Sequence, residues 1–422
     1  MAFVYTTLAI IGTIFFSPLI LPVVFLWAVC YDFFNSDLPP GIDQPLKLRF
    51  YHSVFMSTLV VGKILEKLGI CGDLSLLRFF LEGIPPWRDS KLLIQDLKVD
   101  DVPLRIYQPK QPPTVKRRGL LYFHGGAGTF GSIGKTLASF MPLSIKFRPL
   151  ILLSEECNSV VVSVGYRLAP EHPYPGQYFD CLNATLHFMR NLKEYHVDPT
   201  LIIIGGDSCG ANFATVICQL LLNKRDLPKV RAQVLIYPGL QGIDFQLPAY
   251  QQNASVPILF RKLVLYFCFR YLNKKPLYLD DIIQNCHVPE SMKLKYKKWV
   301  SADNIPDEFK IRGYKPQKNS SYKPEVYEVI KEVLAMTFSP LLAEDGIICQ
   351  LPESYIVTCE FDVLRDDGLL YKKRLEENGV QVTWYHSESG FHGLLSFFGY
   401  GIFSFLSAKK IMDNTVNYIN SL

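Results

Sequence analysis

Gly206-Asp207-Ser208-Cys209-Gly210 is the stretch of this chain best suited to do chemistry. It follows the apolar run Leu201 to Ile204 and opens a helical pattern that begins near Cys209. Small residues two before and two after a serine permit a tight strand-to-helix turn, because bulky Cβ groups there would collide with the neighbouring strand and helix. A serine on such a turn stands above the sheet with a helix N-terminus behind it. The Cys209 N–H is then placed to donate to an oxyanion. A serine hydroxyl is a weak nucleophile at neutral pH, so the arrangement demands an imidazole downstream and a carboxylate that fixes its tautomer.

Both follow in the order that the turn requires. Asp362 stands just past an apolar run ending at Cys359, and His392 sits in Gly390-Phe391-His392-Gly393 after the next run. Asp366 and Asp367 compete for the acid role, but Asp-Asp-Gly opens a helical stretch, where carboxylates cap and match the helix dipole. Earlier, Tyr122-Phe123-His124-Gly125-Gly126-Ala127 closes another apolar run with two glycines. Such a turn lets backbone N–H groups approach a substrate carbonyl, although an ordinary glycine-rich turn reads the same way. His124 itself reads as a hydrogen-bonded structural residue. The other six histidines, at 52, 172, 187, 196, 287 and 386, show no partner pattern.

Elements that could hold these residues are legible. From Lys91, short apolar runs such as Leu120 to Phe123, Val160 to Val164, Leu201 to Ile204 and Ala232 to Tyr237 are bounded by Gly or Pro, as in strands buried on both faces of a mostly parallel sheet. Helical stretches, Phe179 to Tyr195 and Cys209 to Asn223, alternate with them, which predicts an α/β fold with helices on both faces. Glu353 to Cys359 and Val380 to His386 read as later strands, Asp367 to Asn378 as a helix, and Leu394 onward as a final helix. Residues 45 to 90 read as two or three amphipathic helices of a cap or membrane-proximal cover. Residues 240 to 345 read as an insertion. The predicted division is therefore 1–31, 32–90 and a catalytic body from 91 to 422.

Composition narrows the class. The 422 residues are 49% apolar and 20% charged, enough to bury a large core and unlike a disordered or coiled-coil chain. A net charge of +5, from 44 Lys and Arg against 39 Asp and Glu, lacks the basic stripe that nucleic acid would require, so no nucleic-acid partner is expected. Met1 through Tyr31 carry no charged side chain, long enough for a transmembrane helix that Pro18 and Pro22 would kink. A cleaved signal peptide is the rival, but no Lys or Arg precedes the run and no small-x-small site clearly follows it. The Lys and Arg flanks do not set an orientation. Sequons at Asn183, Asn253 and Asn319 tilt it toward a lumenal or extracellular body. Ten cysteines show no CxxC pair and no metal-ligand spacing with histidine, so no metal or other cofactor is expected, and disulfides stay open.

Five motifs in order, His124-Gly125-Gly126, Tyr166 to Pro173 (YRLAPEHP), Gly206 to Asn212, Asp362 to Asp367 and Gly390 to Gly393, resemble the hormone-sensitive-lipase branch of the α/β hydrolases. With the N-terminal apolar segment, the whole chain is similar to arylacetamide-deacetylase-like proteins. The resemblance implies an α/β-hydrolase fold with a helical cap and one signal-anchor helix in the endoplasmic reticulum, its body lumenal. It implies a serine esterase or amidase, with nucleophile Ser208, acid Asp362 and base His392, and oxyanion donors at Gly125 and Gly126 with the N–H groups of Ala127 and Cys209. Ala127 departs from the family's third glycine and would be strained if the position needs positive φ. Cys359 matches a disulfide-bonded position of the deacetylase, but its partner position holds Thr129, so that bridge is not expected.

A ligand-binding protein that has kept the pocket without turnover is the alternative, as in the gibberellin receptors of this branch, which have lost the histidine that is kept here as His392. Substrate choice stays open between small esters or amides and lipid esters, and the oligomeric state is not readable. Val256 to Leu272 and Leu394 to Leu406 are apolar enough to dip into a bilayer or to be core. Lys293, Lys295, Lys297 and Lys298 read as a solvated face or a contact with anionic headgroups.

Overall fold

Runs such as Val160-Val161-Val162 have no polar side to turn toward water, so their strands must lie inside a sheet covered on both faces. All three side chains are fully buried in the computed structural model, which describes residues 22–36, 38–81, 91–111, 116–133, 147–317 and 320–422. Eight strands form one sheet in the order β1-β2-β4-β3-β5-β6-β7-β8. They are β1 (Leu92–Val99), β2 (Val102–Pro109), β3 (Arg117–Phe123), β4 (Ser159–Val164), β5 (Val197–Asp207), β6 (Ala232–Ile236), β7 (Glu353–Phe361) and β8 (Val382–Phe391). β2 pairs antiparallel with β1 and with β4, and every other pairing is parallel. The C-terminal ends of β3, β5 and β7 therefore open on one edge, and each leads directly into a motif.

A helix over 22–35 (α1) precedes α2 (Pro45–Lys67) and α3 (Asp73–Leu81). Proline at the first turn of α2 suits a position whose N–H has no intrahelical partner. Its inward face carries Leu48, Tyr51, Val54, Thr58 and Leu59, all buried. α4 (Phe147–Glu156), α5 (Gly176–Arg190) and α6 (Cys209–Leu221) follow the strands, and α7 (Pro248–Gln252) and α8 (Arg261–Tyr271) belong to the segment between β6 and β7. α8 turns Leu263, Leu265, Phe267 and Phe269 inward, so this part of the 256–272 run is core rather than a bilayer dip. Asp73 at the start of α3 takes hydrogen bonds from Arg270 and Tyr266, and Arg270 also reaches Glu66 of α2 at 3.1 Å, which binds α2 and α3 to α8 as one roof.

One sequence expectation is corrected here, and one left open is decided. No continuous helix begins at Leu394: Leu394–Phe397 and Gly401–Phe403 are single 3₁₀ turns, and the last helix spans Leu406–Ser421. Glycines 393, 399 and 401 with φ of 78°, 80° and 58° interrupt it. Lys293, Lys295 and Lys298 pair with Glu290, Glu344 and Asp345, which makes them a solvated face. Residues 1–21 of the expected transmembrane segment lie outside the described residues. Among those described, no helix is long and apolar enough to cross a membrane.

Candidate active site

The turn at the end of β5 brings three chain segments into backbone contact. A Cβ at Gly210 would sit 1.9 Å from the Phe123 carbonyl oxygen, and one at Gly206 2.4 Å from the same atom. Only glycine fits either place. Between them Ser208 takes φ 56° and ψ −122°, a conformation that costs a non-glycine residue about 1–3 kcal/mol and must be imposed by its surroundings. Its N–H donates to Ile236 O at 2.9 Å, and its carbonyl accepts from Ala211 and Asn212 in the first turn of α6. The side chain is thereby turned out of the sheet edge.

His392 meets it from the end of β8. The Nδ1–H of His392 donates to Asp362 Oδ2 at 2.8 Å, which leaves Nε2 to accept from the Ser208 hydroxyl at 2.9 Å. Asp362 is fully buried, and its other oxygen accepts the Leu364 N–H at 2.8 Å. The Tyr237 ring lies 4.9 Å from the imidazole and walls it on one side. Three side chains drawn from β5, β7 and β8 thus form one proton path from hydroxyl to imidazole, with the carboxylate holding the tautomer.

Above Ser208 runs the loop after β3. Gly126, Ala127 and Cys209 line the cavity beside the serine. Gly125 does not: its N–H donates to Asp207 Oδ1 at 2.9 Å, the oxygen that also accepts from the Tyr122 hydroxyl at 2.9 Å. Gly125 is therefore a fastening point of the loop and not an oxyanion donor. Its lack of a side chain is required all the same, since a Cβ would fall 2.4 Å from Asp207 Oδ2. Ala127 has φ 52°, so the alanine occupies a left-handed position in which its Cβ is strained. The Cys209 thiol accepts from the Gly128 N–H at 3.2 Å, a tie that alanine at 209 could not make. His124 is structural, with its ring on Tyr166 at 4.2 Å and its Nδ1 2.9 Å from the Tyr166 hydroxyl.

Outside the loop, Arg78 of α3 donates to the Thr129 and Ala169 carbonyls and pairs with Glu171. This guanidinium joins roof and loop alongside the packing of Phe130 on Phe267, a role that the sequence reading missed. Asp366 and Asp367 do lie in the first turn of the helix Arg365–Glu377, but both are buried and bind other backbone. Asp366 accepts the Ala249 N–H, and Asp367 accepts from Leu240 and Gln241. Burial pushes the Asp367 carboxyl up to about 8.

The sequons fare differently from one another. Asn253 is fully buried, and its amide donates to the carbonyls of Glu360 and Asp362, so in the folded chain it is a strut under the acid and not a glycan acceptor. Asn183 is exposed on α5, and Asn319 lies outside the described residues. No two cysteines are joined by a disulfide among the described residues; Cys359 and Thr129 are both buried, and the Thr129 hydroxyl donates to Gly126 O.

A cavity of about 240 Å³ lies over the serine. Its roof is Val54, Phe55, Thr58, Leu77 and Phe80 from α2 and α3, with Val264, Phe267 and Tyr271 from α8, and its far side carries Phe213, Phe245 and Phe338. The wall is mostly apolar, with Asn212, Gln241 and Asp367 among its polar members, which favours apolar parts of a ligand.

A profile of the α/β hydrolase fold family matches residues 120–294 and 314–396. Human arylacetamide deacetylase-like 4 is 41% identical over 401 residues, covering 94% of this chain and 96% of its own. Bovine neutral cholesterol ester hydrolase 1 is 34% identical over 386 residues, covering 88% and 91%. In fold, a hyperthermophilic esterase from Pyrobaculum calidifontis superposes with a TM-score of 0.60 at 22% identity, covering 90% of this chain and 98% of that one. Identity of this extent, on a chain whose β5, β7 and β8 bring serine, carboxylate and imidazole together, makes this protein a member of the arylacetamide deacetylase-like family of α/β hydrolases.

Proposed function

We propose that the chain is a membrane-anchored serine hydrolase that cleaves carboxylic esters or amides with an apolar acyl or alcohol part, through an acyl-Ser208 intermediate. The observation that carries the reading is the hydrogen-bonded series Ser208, His392, Asp362 at 2.9 and 2.8 Å beneath the Gly126–Ala127 loop. His392 Nε2 takes the hydroxyl proton as Ser208 Oγ attacks the carbonyl carbon. N–H groups of Gly126, Ala127 and Cys209 hold the developing oxyanion, a contribution of about 3–4 kcal/mol per donor in comparable sites. The imidazolium returns its proton to the leaving alcohol or amine. Water, deprotonated by the same nitrogen, then releases the acid.

The apolar cavity and the neutral cholesterol ester hydrolase among its relatives support lipid esters as substrates. The uncharged stretch from Met1 to Tyr31 supports an uncleaved anchor. A body in the endoplasmic reticulum lumen is part of the same reading and rests on the family resemblance. A fluorophosphonate probe tests the chemistry: it should label the folded chain and not Ser208→Ala. Equal labelling of both, or none of the folded wild type, overturns it. Tight binding of esters with no product would instead mark a binding protein.

A further inference from the structure

The described surface leaves large apolar side chains exposed where two distant segments meet. On the outer side of α2, Leu46 is 70% and Phe50 45% exposed. Beside them, in the turn before the last helix and at its start, Ile402 is 82%, Phe403 41% and Leu406 65% exposed. The two segments are fastened together. Lys47 donates to Ser404 O at 2.7 Å, the Tyr51 hydroxyl donates to Phe403 O at 3.2 Å, and Lys47 Nζ lies 5.3 Å over the Phe405 ring. These five side chains therefore stand on rigid elements and form one apolar tip.

Three observations say what covers it. First, α1 is tied to the same place, with Arg49 donating to Phe33 O at 3.2 Å and Ser53 to Asp32 at 2.9 Å. The chain enters α1 from a stretch without a charged side chain, and α1 itself exposes Val23, Leu26, Trp27, Tyr31 and Phe34 at helical spacing. Second, cations outnumber carboxylates around the tip: Arg49 and Lys47 on α2, Arg148 against Tyr400, and Lys409 and Lys410 one turn beyond Leu406, against Asp43, which accepts the Ser407 N–H, and Asp32, which accepts from Ser53. Lys409 is partly spent on Asp413 at 2.6 Å. An apolar point within a basic rim fits lipid tails below anionic headgroups, whereas a second copy would set cation against cation. Third, Tyr51 and Phe397, whose rings are 4.5 Å apart, line the cavity on their inner side, so the tip is one side chain away from the substrate space.

We propose that Leu46, Phe50, Ile402, Phe403 and Leu406 are a second membrane contact, separate from the anchor, that seats the hydrolase body on the bilayer with its cavity against the lipid. This deepens the reading above, since a substrate dissolved in the membrane would then reach Ser208 without crossing water. The test uses the full chain in vesicles of phosphatidylcholine and phosphatidylserine. Benzoylphenylalanine in place of Ile402 or Leu406 should attach to lipid on irradiation at least about fivefold more than in place of Leu294, an exposed residue elsewhere on the surface. Equal attachment at all three, or attachment to a second copy of the chain, overturns the proposal.

A second arm reads turnover. Ile402→Glu with Leu406→Glu should lower hydrolysis of an ester dissolved in the vesicles about tenfold and leave a water-soluble acetyl ester within about twofold. An equal effect on the two esters counts against the contact. Absence of fluorophosphonate labelling in the wild type would sink the hydrolase reading while the lipid attachment stood. Release of the wild type by alkaline carbonate would sink the anchor alone.

Discussion

Asp207 Oδ1 holds the Gly125 N–H and the Tyr122 hydroxyl at once, each at 2.9 Å, so the residue before the nucleophile also fastens the loop above it. Asp207→Ala would leave a buried hydroxyl and a buried N–H without that acceptor, a loss of about 1–3 kcal/mol for each. The expected outcome is a lower melting temperature together with a fall in kcat of about 10- to 100-fold, as the Gly126 and Ala127 donors drift from the geometry the oxyanion needs. Asp207→Asn keeps an acceptor oxygen and should recover most of both. A melting temperature and kcat unchanged in the alanine variant would refute the fastening role.

Ala127, at φ 52°, offers a sharper comparison. Replacing it by glycine removes a strain of about 1–2 kcal/mol but frees the unfolded chain by about 0.4–1 kcal/mol. Stability should therefore change little, and kcat should hold or rise. Ala127→Val puts a β-branched side chain in the left-handed region, and both stability and kcat should fall, the latter about tenfold or more. Thermal melting with steady-state kinetics on a soluble ester decides between these outcomes.

Burial pushes the His287 imidazole down to about 4, and its Nε2–H donates to Gly242 O at 2.8 Å. The unfolded chain takes up this proton near 6.5 while the folded chain refuses it until about 4, so stability drains away as pH falls through that window. His287→Gln should unfold with a weaker acid dependence. The difference in unfolding free energy between wild type and variant should shift by about 2 kcal/mol from pH 7 to pH 5. A parallel pair of curves would rule the histidine out.

Asn253 carries two donors into the carbonyls of Glu360 and Asp362 and accepts from Arg312 at 3.1 Å. Asn253→Ala should cost about 2–4 kcal/mol and reduce kcat, because the backbone that aims Asp362 loses its strut. Peptide mapping of the folded, expressed chain should find Asn253 unmodified, with glycan on Asn183 if the body is lumenal. Full occupancy at Asn253 would contradict this packing.

How far the site could be read from the sequence follows from the range of the forces involved. Ser208, Asp362 and His392 were legible because each ends a buried strand with its own local signature of glycines or a helix start. The mostly parallel sheet was legible for the same reason, since Val160 to Val164 and Leu201 to Ile204 have no polar face to expose. The capture of the Gly125 N–H was not, because its partner Asp207 lies 82 positions away and no local pattern foretells a shared acceptor. Asn253 misled for a related reason: a sequon is a three-residue pattern, while its burial depends on a β7 carbonyl more than 100 positions later. Arg78 left no signal at all, being one cation on a short amphipathic helix.

The contact of Gly206 and Gly210 with the Phe123 carbonyl bears on inherited variation. Any single-nucleotide change that puts another amino acid at either place pushes β3 off the nucleophile turn, whatever the chemical character of the newcomer, so such alleles should be null. At Gly176 and Gly346 an added methyl meets no atom within 4 Å, and similar-looking missense changes there should pass unnoticed. Sorting of this kind follows from clearance alone and requires no knowledge of the substrate.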